Sequence, residues 1–397
     1  MKILTVGASP YLLVRNGRMH ADVIRRLKAE GHEVTGAAWH HDEGYYLPDD
    51  AGVSSFEDTV TGEHFCRLYP FLPSSKGADA LLYEIMKKVQ PDIVISMGDY
   101  KEVDFIYSIK AMYPNLFRWI AIFPFDCLRI NENHKDRIEY ADYVISTSEF
   151  GWTNVSELCN VAGEFIPYGP DLTKFQYRPK IAGGQPVYMV SSQNSQTSNI
   201  GAFIRAMAKN PAEVSGRIHT NFYDPGDYDL ELMIQRYGAT NVSLPEYFCS
   251  IKEGLSDEDY AGLYATSDFF VETSVKSATA LSMLESMAMG CVPIGMNVGR
   301  VGEILSLMPA EYRLFVPHET FNGAHEEEYS VISTEALAEK ILDSKKDIFE
   351  NRTKYEEASL AARTVAVRFS HSNFLNQLIL ALNRAALSSE SIAVESF

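Results

Sequence analysis

Short runs of apolar, largely β-branched residues alternate along this chain with longer stretches in which apolar residues return every three or four positions. The runs at 3–6, 33–38 and 92–96 read as strands, and the stretches at 17–30 and 102–112 read as helices. In the first helix Ala21, Val23 and Leu27 fall toward one side and Arg25, Arg26, Lys28 and Glu30 toward the other. Gly31 follows as a left-handed terminal cap. Strand and helix in alternation imply parallel βαβ units.

The alternation continues through strands at 118–122, 143–147 and 164–167. It then meets turn-rich sequence at Tyr168-Gly169-Pro170-Asp171 and over 177–186, where a domain boundary is expected. A second series follows, with strands at 187–190, 217–221, 242–244, 269–272 and 292–295 and helices at 199–208, 228–237, 257–265 and 278–289. Three more helices are expected at 334–345, 350–368 and 372–387. The pattern therefore predicts an α/β protein of two doubly wound, Rossmann-like domains, 1–170 and 171–370. A C-terminal helix over 371–387 could pack back on the first domain, and a mobile polar tail occupies 388–397. Open parallel sheets bind ligands beyond the carboxyl ends of their strands, so two such domains facing each other are expected to form a cleft holding the active site.

Composition narrows the partners. The chain has 397 residues, 46% apolar and 22% charged, which suits an ordinary globular protein of more than one domain. Its formal net charge of −18 argues against nucleic acid or membrane as an obligatory partner, while leaving room for a local basic groove. Five cysteines (Cys66, Cys127, Cys159, Cys249, Cys291) lack Cys-x-x-Cys spacing and read as reduced, buried thiols. The first apolar run is too short for a signal sequence, and no run reaches about 18 uninterrupted apolar residues. A cytoplasmic chain is expected.

The richest chemistry lies between Ser277 and Glu303. In Ser277-Ala-Thr-Ala-Leu-Ser-Met-Leu-Glu285-Ser-Met-Ala-Met-Gly290-Cys-Val-Pro293, Leu281, Leu284 and Ala288 form a helical stripe that Gly290 ends. Glu285 sits beside that stripe. A carboxylate fixed there suits a vicinal diol such as a nucleotide ribose, and the plain alternative is a solvated helix glutamate. Asp126 follows an apolar strand, where it could orient or deprotonate an acceptor hydroxyl or simply form a turn; Asp99 is a weaker candidate of the same kind. His20, one turn into the first helix, either reaches the cleft or is an exposed helical histidine. Asp227-Tyr228-Asp229 and Asp257-Glu258-Asp259 imitate a metal motif but precede helices, where capping explains them. No metal or cofactor is expected. Trp39-His40-His41-Asp42-Glu43 has ligand composition without ligand spacing and could line the acceptor side instead. The Gly-x-Gly-x-x-Gly dinucleotide fingerprint is missing.

In order along the chain, Gly31-His-Glu-Val34, Ala141-Asp142-Tyr-Val-Ile-Ser-Thr-Ser148, Ile166-Pro-Tyr-Gly169-Pro-Asp171, Leu263-Tyr264-Ala-Thr-Ser-Asp268-Phe-Phe-Val-Glu272, Glu285 to Pro293 and Gly299-Arg300-Val-Gly-Glu303-Ile resemble motifs of one family. It is the retaining GT-B glycosyltransferases related to glycogen synthase and sucrose synthase. The resemblance implies the GT-B fold, with Glu285 on the donor ribose and Gly299, Arg300 and Glu303 bordering the nucleotide base or phosphate. It also implies that Gly17 and Arg18 lie in the loop that brings amides near the donor phosphate or the acceptor.

Two departures stand out. The family's first Glu, near the donor sugar, falls on Ser277. Its Arg and Lys for the leaving diphosphate fall in the uncharged loop Ser191-Ser192-Gln193-Asn194-Ser195-Gln196-Thr197-Ser198-Asn199. Ser192 and Asn199 remain as polar contacts, the latter opening a helix whose amino end could bind an anion. Lys276, Arg300, Arg15 and Arg18 are the candidate substitute cations, each also readable as surface charge. The expected function is transfer of a sugar from a nucleotide-diphosphate sugar to an acceptor hydroxyl, without metal and with retention. A small molecule, glycan or protein acceptor fits the acidic chain better than a modified nucleic acid. The alternatives are an inactive nucleotide-sugar-binding relative, which the uncharged loop motivates, and a GT-B epimerase or phosphorylase.

Overall fold

The structure, a computed structural model, describes residues 1–12, 15–39, 53–58, 61–70, 77–100, 103–180, 183–222, 226–247, 249–250, 254–323 and 327–387, the side chains of 15, 386 and 387 excepted. The acidic and histidine positions of the cluster after Trp39, and the tail at 388–397, lie outside these residues. The chain divides into two compact units. One comprises Met1–Phe125, Ile130–Ile166 and the chain from Asn373 onward, and the other Asp126–Arg129 and Pro167–Ser372.

The first unit runs β1 (Lys2–Ala8), α1 (Arg15–Ala29), β2 (Glu33–Trp39), β3 (Ser54–Glu57), β4 (His64–Pro70), α2 (Ala78–Val89), β5 (Ile93–Met97), α3 (Asp104–Met112), β6 (Arg118–Phe123), α4 (Lys135–Glu139), β7 (Tyr143–Ser146), α5 (Glu149–Leu158) and β8 (Gly163–Phe165). Its eight strands lie in the order β3-β4-β2-β1-β5-β6-β7-β8, with every neighbouring pair parallel except β3 with β4. The central strands β1, β5 and β6 are buried almost throughout, as expected of a sheet covered on both faces. α1 lays Met19, Val23, Ile24 and Leu27 into the core and leaves Arg25 and Lys28 in solvent. It ends at Gly31, whose φ of +80° is the left-handed cap that the sequence announces.

The second unit runs β9 (Val187–Ser191), α6 (Ile200–Ala208), β10 (Ser215–His219), α7 (Leu230–Tyr237), β11 (Val242–Ser243), α8 (Asp257–Ala265), β12 (Phe269–Val271), α9 (Leu281–Ala288), β13 (Val292–Met296), α10 (Gly299–Ser306), β14 (Leu314–Val316), β15 (His318–Asn322), β16 (Glu328–Ile332), α11 (Thr334–Ser344), a π-helical turn (Lys345–Phe349) and α12 (Arg352–Val367). Its six-stranded parallel sheet is ordered β11-β10-β9-β12-β13-β14, and β15 and β16 form a separate antiparallel hairpin. α9 puts Met283, Leu284, Met287 and Ala288 into the core between sheet and helices. Gly290, at φ +90°, lets the chain turn into β13.

The last helix, α13 (His371–Leu387), joins the first unit from Asn373 onward. Phe374, Leu378 and Leu382 are buried there, Arg384 pairs with Glu164, and Arg118 donates to the Ala385 carbonyl.

Both sheets reverse their order once. In the first unit β1 has β2 on one side and β5 on the other; in the second β9 lies between β10 and β12. At such a switch point the loops leaving the two central strands diverge to opposite faces and open a crevice at the carboxyl ends. The loops to compare are therefore those after β1 and β5, and those after β9 and β12.

Candidate functional site

In the second unit the loop after β9 coils into a 3-10 turn, Gln196–Ser198, capped by the Ser195 hydroxyl accepting from Ser198 N. The loop after β12 is stitched to it, since Thr273 Oγ1 donates to Ser198 O at 2.8 Å and Val275 N donates to Thr197 O at 2.8 Å. The two loops form one wall at the switch point.

That wall holds polar atoms that no protein group satisfies. Among the described residues, Ser192 Oγ, Asn194 Oδ1, Asn199 Nδ2 and Thr279 Oγ1 are buried without a hydrogen-bond partner. Asn199 is 9% exposed and Thr279 1%. Leaving a buried polar atom unpaired costs about 1–3 kcal/mol. Others occur elsewhere, among them Arg26 Nε, Thr147 Oγ1, Asn241 Oδ1 and Ser330 Oγ, but here four share two joined loops. The backbone is strained at the same place. Asn199 has φ +51° and Ala280 φ +47°, and left-handed backbone costs a non-glycine residue about 1–2 kcal/mol. Both stand immediately before a helix, α6 and α9 respectively, so α9 begins at Leu281 rather than at 278.

Glu285, on α9, is 3% exposed, which removes the reading of a solvated helix glutamate. Its Oε2 accepts from Tyr260 at 3.2 Å and Tyr264 at 3.4 Å, and these hydroxyls lie 2.5 Å apart. Burial, then the neighbouring Tyr260 and Glu285, hold the Tyr264 phenol well above its ordinary pKa, so it stays a neutral donor. The carboxylate is thereby fixed by two α8 tyrosines that motif reading did not single out.

The loop between β12 and α9 contains Lys276 and Ser277. Lys276 Nζ stands 4.5 Å from the centre of the Tyr329 ring on β16, and Ser277 is half-buried. Asp126 also belongs to the second unit; burial, the hydrogen bond to Glu327 and then the Asp126 charge raise the Tyr329 phenol above its ordinary pKa, and Leu128 N donates to Glu328 O at 2.7 Å. Tyr329 in turn donates to Glu327. The hairpin thus meets Lys276 through the Tyr329 ring and the segment after Asp126 through Glu328, an association that sequence did not suggest.

Beyond β13, Gly299 takes φ +53° and α10 begins. Arg300 is 3% exposed, donates to Glu303 Oε2 at 2.8 Å and stands 4.5 Å over the Phe369 ring. This corrects its reading as a surface charge: the guanidinium lies in the interior with Glu303 as counter-ion.

The first unit arranges its switch point differently. Gly17 has no room for a side chain, because a Cβ would lie 2.6 Å from the carbonyls of both Ser9 and Leu12. It closes the loop after β1 onto α1. Arg18, in the first turn, is half-buried; the side chain of Arg15 is outside the described residues. His20 is fully buried, with Nδ1 at 2.7 Å from Ala8 O and Nε2 at 2.8 Å from Thr5 Oγ1. A carbonyl only accepts, so Nδ1 carries the hydrogen and Nε2 accepts from Thr5. Burial lowers the pKa to about 4 against the lesser raising effect of the Ala8 bond, which keeps the ring neutral. Neither expectation for His20 holds. It is not exposed, and with both nitrogens engaged inside the unit it has no position left for a reacting group.

Capping accounts for part of the two acidic motifs. Asp229 caps α7 by accepting from Leu232 N, Asp227 accepts from Gln196 N, and Ser256 caps α8, where Asp259 accepts from the Ser256 hydroxyl. Among the described residues no group of three or more His, Cys, Asp or Glu side chains is placed to hold a metal ion, and no helix is long and apolar enough to cross a membrane.

Glu272 was not anticipated as a site residue. It follows the apolar strand Phe269–Val271, yet its side chain is buried, with Oε1 accepting from Ser274 N at 3.0 Å. Burial raises its pKa against the lesser lowering effect of its contacts with Ser274. The available signal was a charged residue directly continuing a buried strand.

No protein-family model matches the chain, and no curated protein matches it in sequence. Solved structures do. Sucrose-phosphate synthase from Thermosynechococcus elongatus superposes with a TM-score of 0.74 at 17% identity, covering 98% of this chain and 99% of that one. Anabaena HepE in complex with UDP gives 0.66 at 16%, covering 97% and 100%. The Escherichia coli trehalose-6-phosphate protein bound with UDP-2-fluoro glucose gives 0.66 at 11%, covering 96% and 99%. The chain has the GT-B fold, with two Rossmann-like domains.

Proposed function

We propose that this protein is a glycosyltransferase that binds a nucleotide-diphosphate sugar at the switch point of its second unit and passes the sugar to an acceptor hydroxyl. The observation that carries the reading is the wall of joined loops after β9 and β12. Its four unpartnered polar atoms, and left-handed backbone at Asn199 and Ala280, make a surface whose polar groups are satisfied when a polyhydroxyl, anionic ligand is bound. Its place beyond the carboxyl ends of β9 and β12 is where this sheet topology binds ligands. The likeness in fold to proteins seen with UDP, UDP-glucose and UDP-2-fluoro glucose makes uridine diphosphate sugars the first donors to test.

In this reading Glu285, locked by Tyr260 and Tyr264, accepts from the donor ribose, and Gly299, Arg300 and Glu303 border the nucleotide. The diphosphate lies against Ser192, Asn199 and the amino end of α6, where backbone N–H groups and the helix dipole favour an anion. Lys276 adds the cation that the loop after β9 lacks. Asp126 orients the acceptor hydroxyl and draws off its proton as the glycosidic bond forms. Gly17 and Arg18 serve phosphate or acceptor. The reaction proceeds without metal and with retention, on a small-molecule, glycan or protein acceptor in the cytoplasm.

The uncharged loop after β9 favours one competing reading, an inactive nucleotide-sugar-binding relative. Incubation with UDP-, ADP- and GDP-sugars, with and without a panel of hydroxyl acceptors, separates the two. Release of free nucleotide, increased by one acceptor class and insensitive to chelator, is the expected result. Tight binding without turnover under all conditions would establish the competing reading.

A further inference from the structure

A lysine ammonium paired with a carboxylate has little charge left for a ligand, whereas one held by an aromatic face keeps its formal charge. Lys276 is of the second kind. It lies half-buried in the loop between β12 and α9, with Nζ 4.5 Å from the centre of the Tyr329 ring, and among the described residues no carboxylate pairs with it. Arg300, by contrast, is engaged with Glu303 at 2.8 Å.

Both ends of the contact are fixed by the fold. Val275 N donates to Thr197 O at 2.8 Å, which ties the backbone next to Lys276 to the 3-10 turn ahead of Asn199. On the hairpin, buried Tyr329 pairs with Phe321 across β15 and β16, their ring centres 6.0 Å apart. Gly323 leaves the space that the ring fills, since a Cβ there would lie 2.6 Å from Tyr329 Cε2. β16 is held from its other edge by Leu128 N, which donates to Glu328 O at 2.7 Å. The Tyr329 hydroxyl donates to the buried carboxylate of Glu327. A phenol that gives its hydrogen to a carboxylate has a more electron-rich ring, and the negative face of that ring is what attracts a cation. Glu327 therefore acts on Lys276 through the ring without neutralising it.

We propose that Tyr329 is a positioning residue that holds the Lys276 ammonium as the cation for the donor's diphosphate, with Glu327 polarising the ring. A ring attracts an ammonium without consuming its three donors in ion pairs, so Lys276 keeps hydrogens for phosphate oxygens as the leaving group gains charge. The hairpin, outside the parallel sheet, thereby stands in for the basic pair that the loop after β9 lacks. This inference rests on the donor site proposed above and adds to it the element that aims its cation.

The test reads phosphate charge against nucleotide. UDP, ADP and GDP, with UMP, AMP and GMP, are titrated calorimetrically into the wild type, Lys276→Met, Tyr329→Leu, Tyr329→Phe and each Tyr329 variant combined with Lys276→Met. Lys276→Met is expected to bind the preferred diphosphate about tenfold more weakly, the size of one hydrogen bond to a charged group, and its monophosphate within about threefold of the wild type. Tyr329→Leu removes the ring face and is expected to match that loss. Tyr329→Phe keeps the face but gives up the bond to Glu327, so a loss of about threefold is expected. In the Lys276→Met background neither Tyr329 substitution is expected to change binding by more than about twofold, because the ring acts through the lysine. A ring that only supported the loop would cost affinity in both backgrounds. If Tyr329→Leu does not fold, Tyr329→Phe carries the comparison. Losses that persist in the Lys276→Met background, equal losses for diphosphate and monophosphate, or undiminished diphosphate binding would overturn the inference while leaving the proposed function in place. A wild type that binds none of the six nucleotides would overturn both.

Discussion

The two switch points are built on the same plan and treat their polar groups in opposite ways. After β1, the imidazole of His20 is consumed by Ala8 O and Thr5 Oγ1, and Gly17 closes the loop onto its own carbonyls without room for a methyl group. After β9 and β12, Ser192, Asn194, Asn199 and Thr279 each keep a buried polar atom that no described residue satisfies, and two non-glycine residues hold left-handed backbone. The first crevice uses polarity to hold the fold together. The second retains polarity and strain that serve a ligand. Topology alone would nominate both; the satisfaction of polar atoms distinguishes them.

The largest effect that would sharpen this contrast is on stability in the first unit. His20→Ala removes a fully buried ring and strands the Ala8 carbonyl, and is expected to cost about 3–4 kcal/mol in urea unfolding. A loss under about 1 kcal/mol would break the claim that His20 is a structural group. Its titration gives a related effect. The folded-state pKa of about 4 lies below the ordinary 6.5, so the unfolded chain takes up the proton first as pH falls. Stability from this group is complete above pH 6.5 and is lost between 6.5 and 4, by about 3 kcal/mol. His20→Gln should flatten that limb of the pH–stability curve.

In the second unit the balance should reverse. Thr279→Val replaces an unpartnered hydroxyl with a methyl group of the same shape, so stability should hold or rise by about 1 kcal/mol while nucleotide-sugar affinity falls. A melting temperature that drops with affinity would place Thr279 among ordinary core residues. Ala280→Gly, which relieves the left-handed backbone, is expected to stabilise the unit by about 0.5–1 kcal/mol in thermal unfolding. Smallest of all, Lys209→Ala should change stability by less than about 0.5 kcal/mol, because its ion pair with Glu335 is solvent-exposed.

The regular elements that line the two switch points were legible because their signals are local. Buried strands such as β5 and β9 are continuous apolar runs, and Gly31 and Gly290 mark helix ends by a backbone conformation that glycine adopts readily. The β3–β4 and β15–β16 pairs were not foreseen. They are antiparallel within a parallel pattern, and β15, His318-Glu-Thr-Phe-Asn, is mostly exposed and carries almost no apolar alternation. His20 was misjudged although the spacing contained the answer, since residues 20, 23, 24 and 27 share one face and all are buried. Glu285 drew notice through its motif, but its tyrosine clamp depends on α8 packing beside α9, which no spacing reveals. Glu272 stood only as the last residue of a motif for the same reason, as the depth at which a carboxylate after a strand lies is a property of the assembled sheet.

One calorimetric comparison tests most directly whether the loops after β9 and β12 leave their polar atoms for a nucleotide-sugar. The nucleotide-sugar bound best by the wild type is titrated into the wild type and into an Asn199→Ala, Thr279→Val double variant whose melting temperature is measured in the same buffer. Affinity weakened at least about tenfold, with a melting temperature equal to the wild type's or higher, is the expected result. Undiminished affinity in a folded double variant would contradict it.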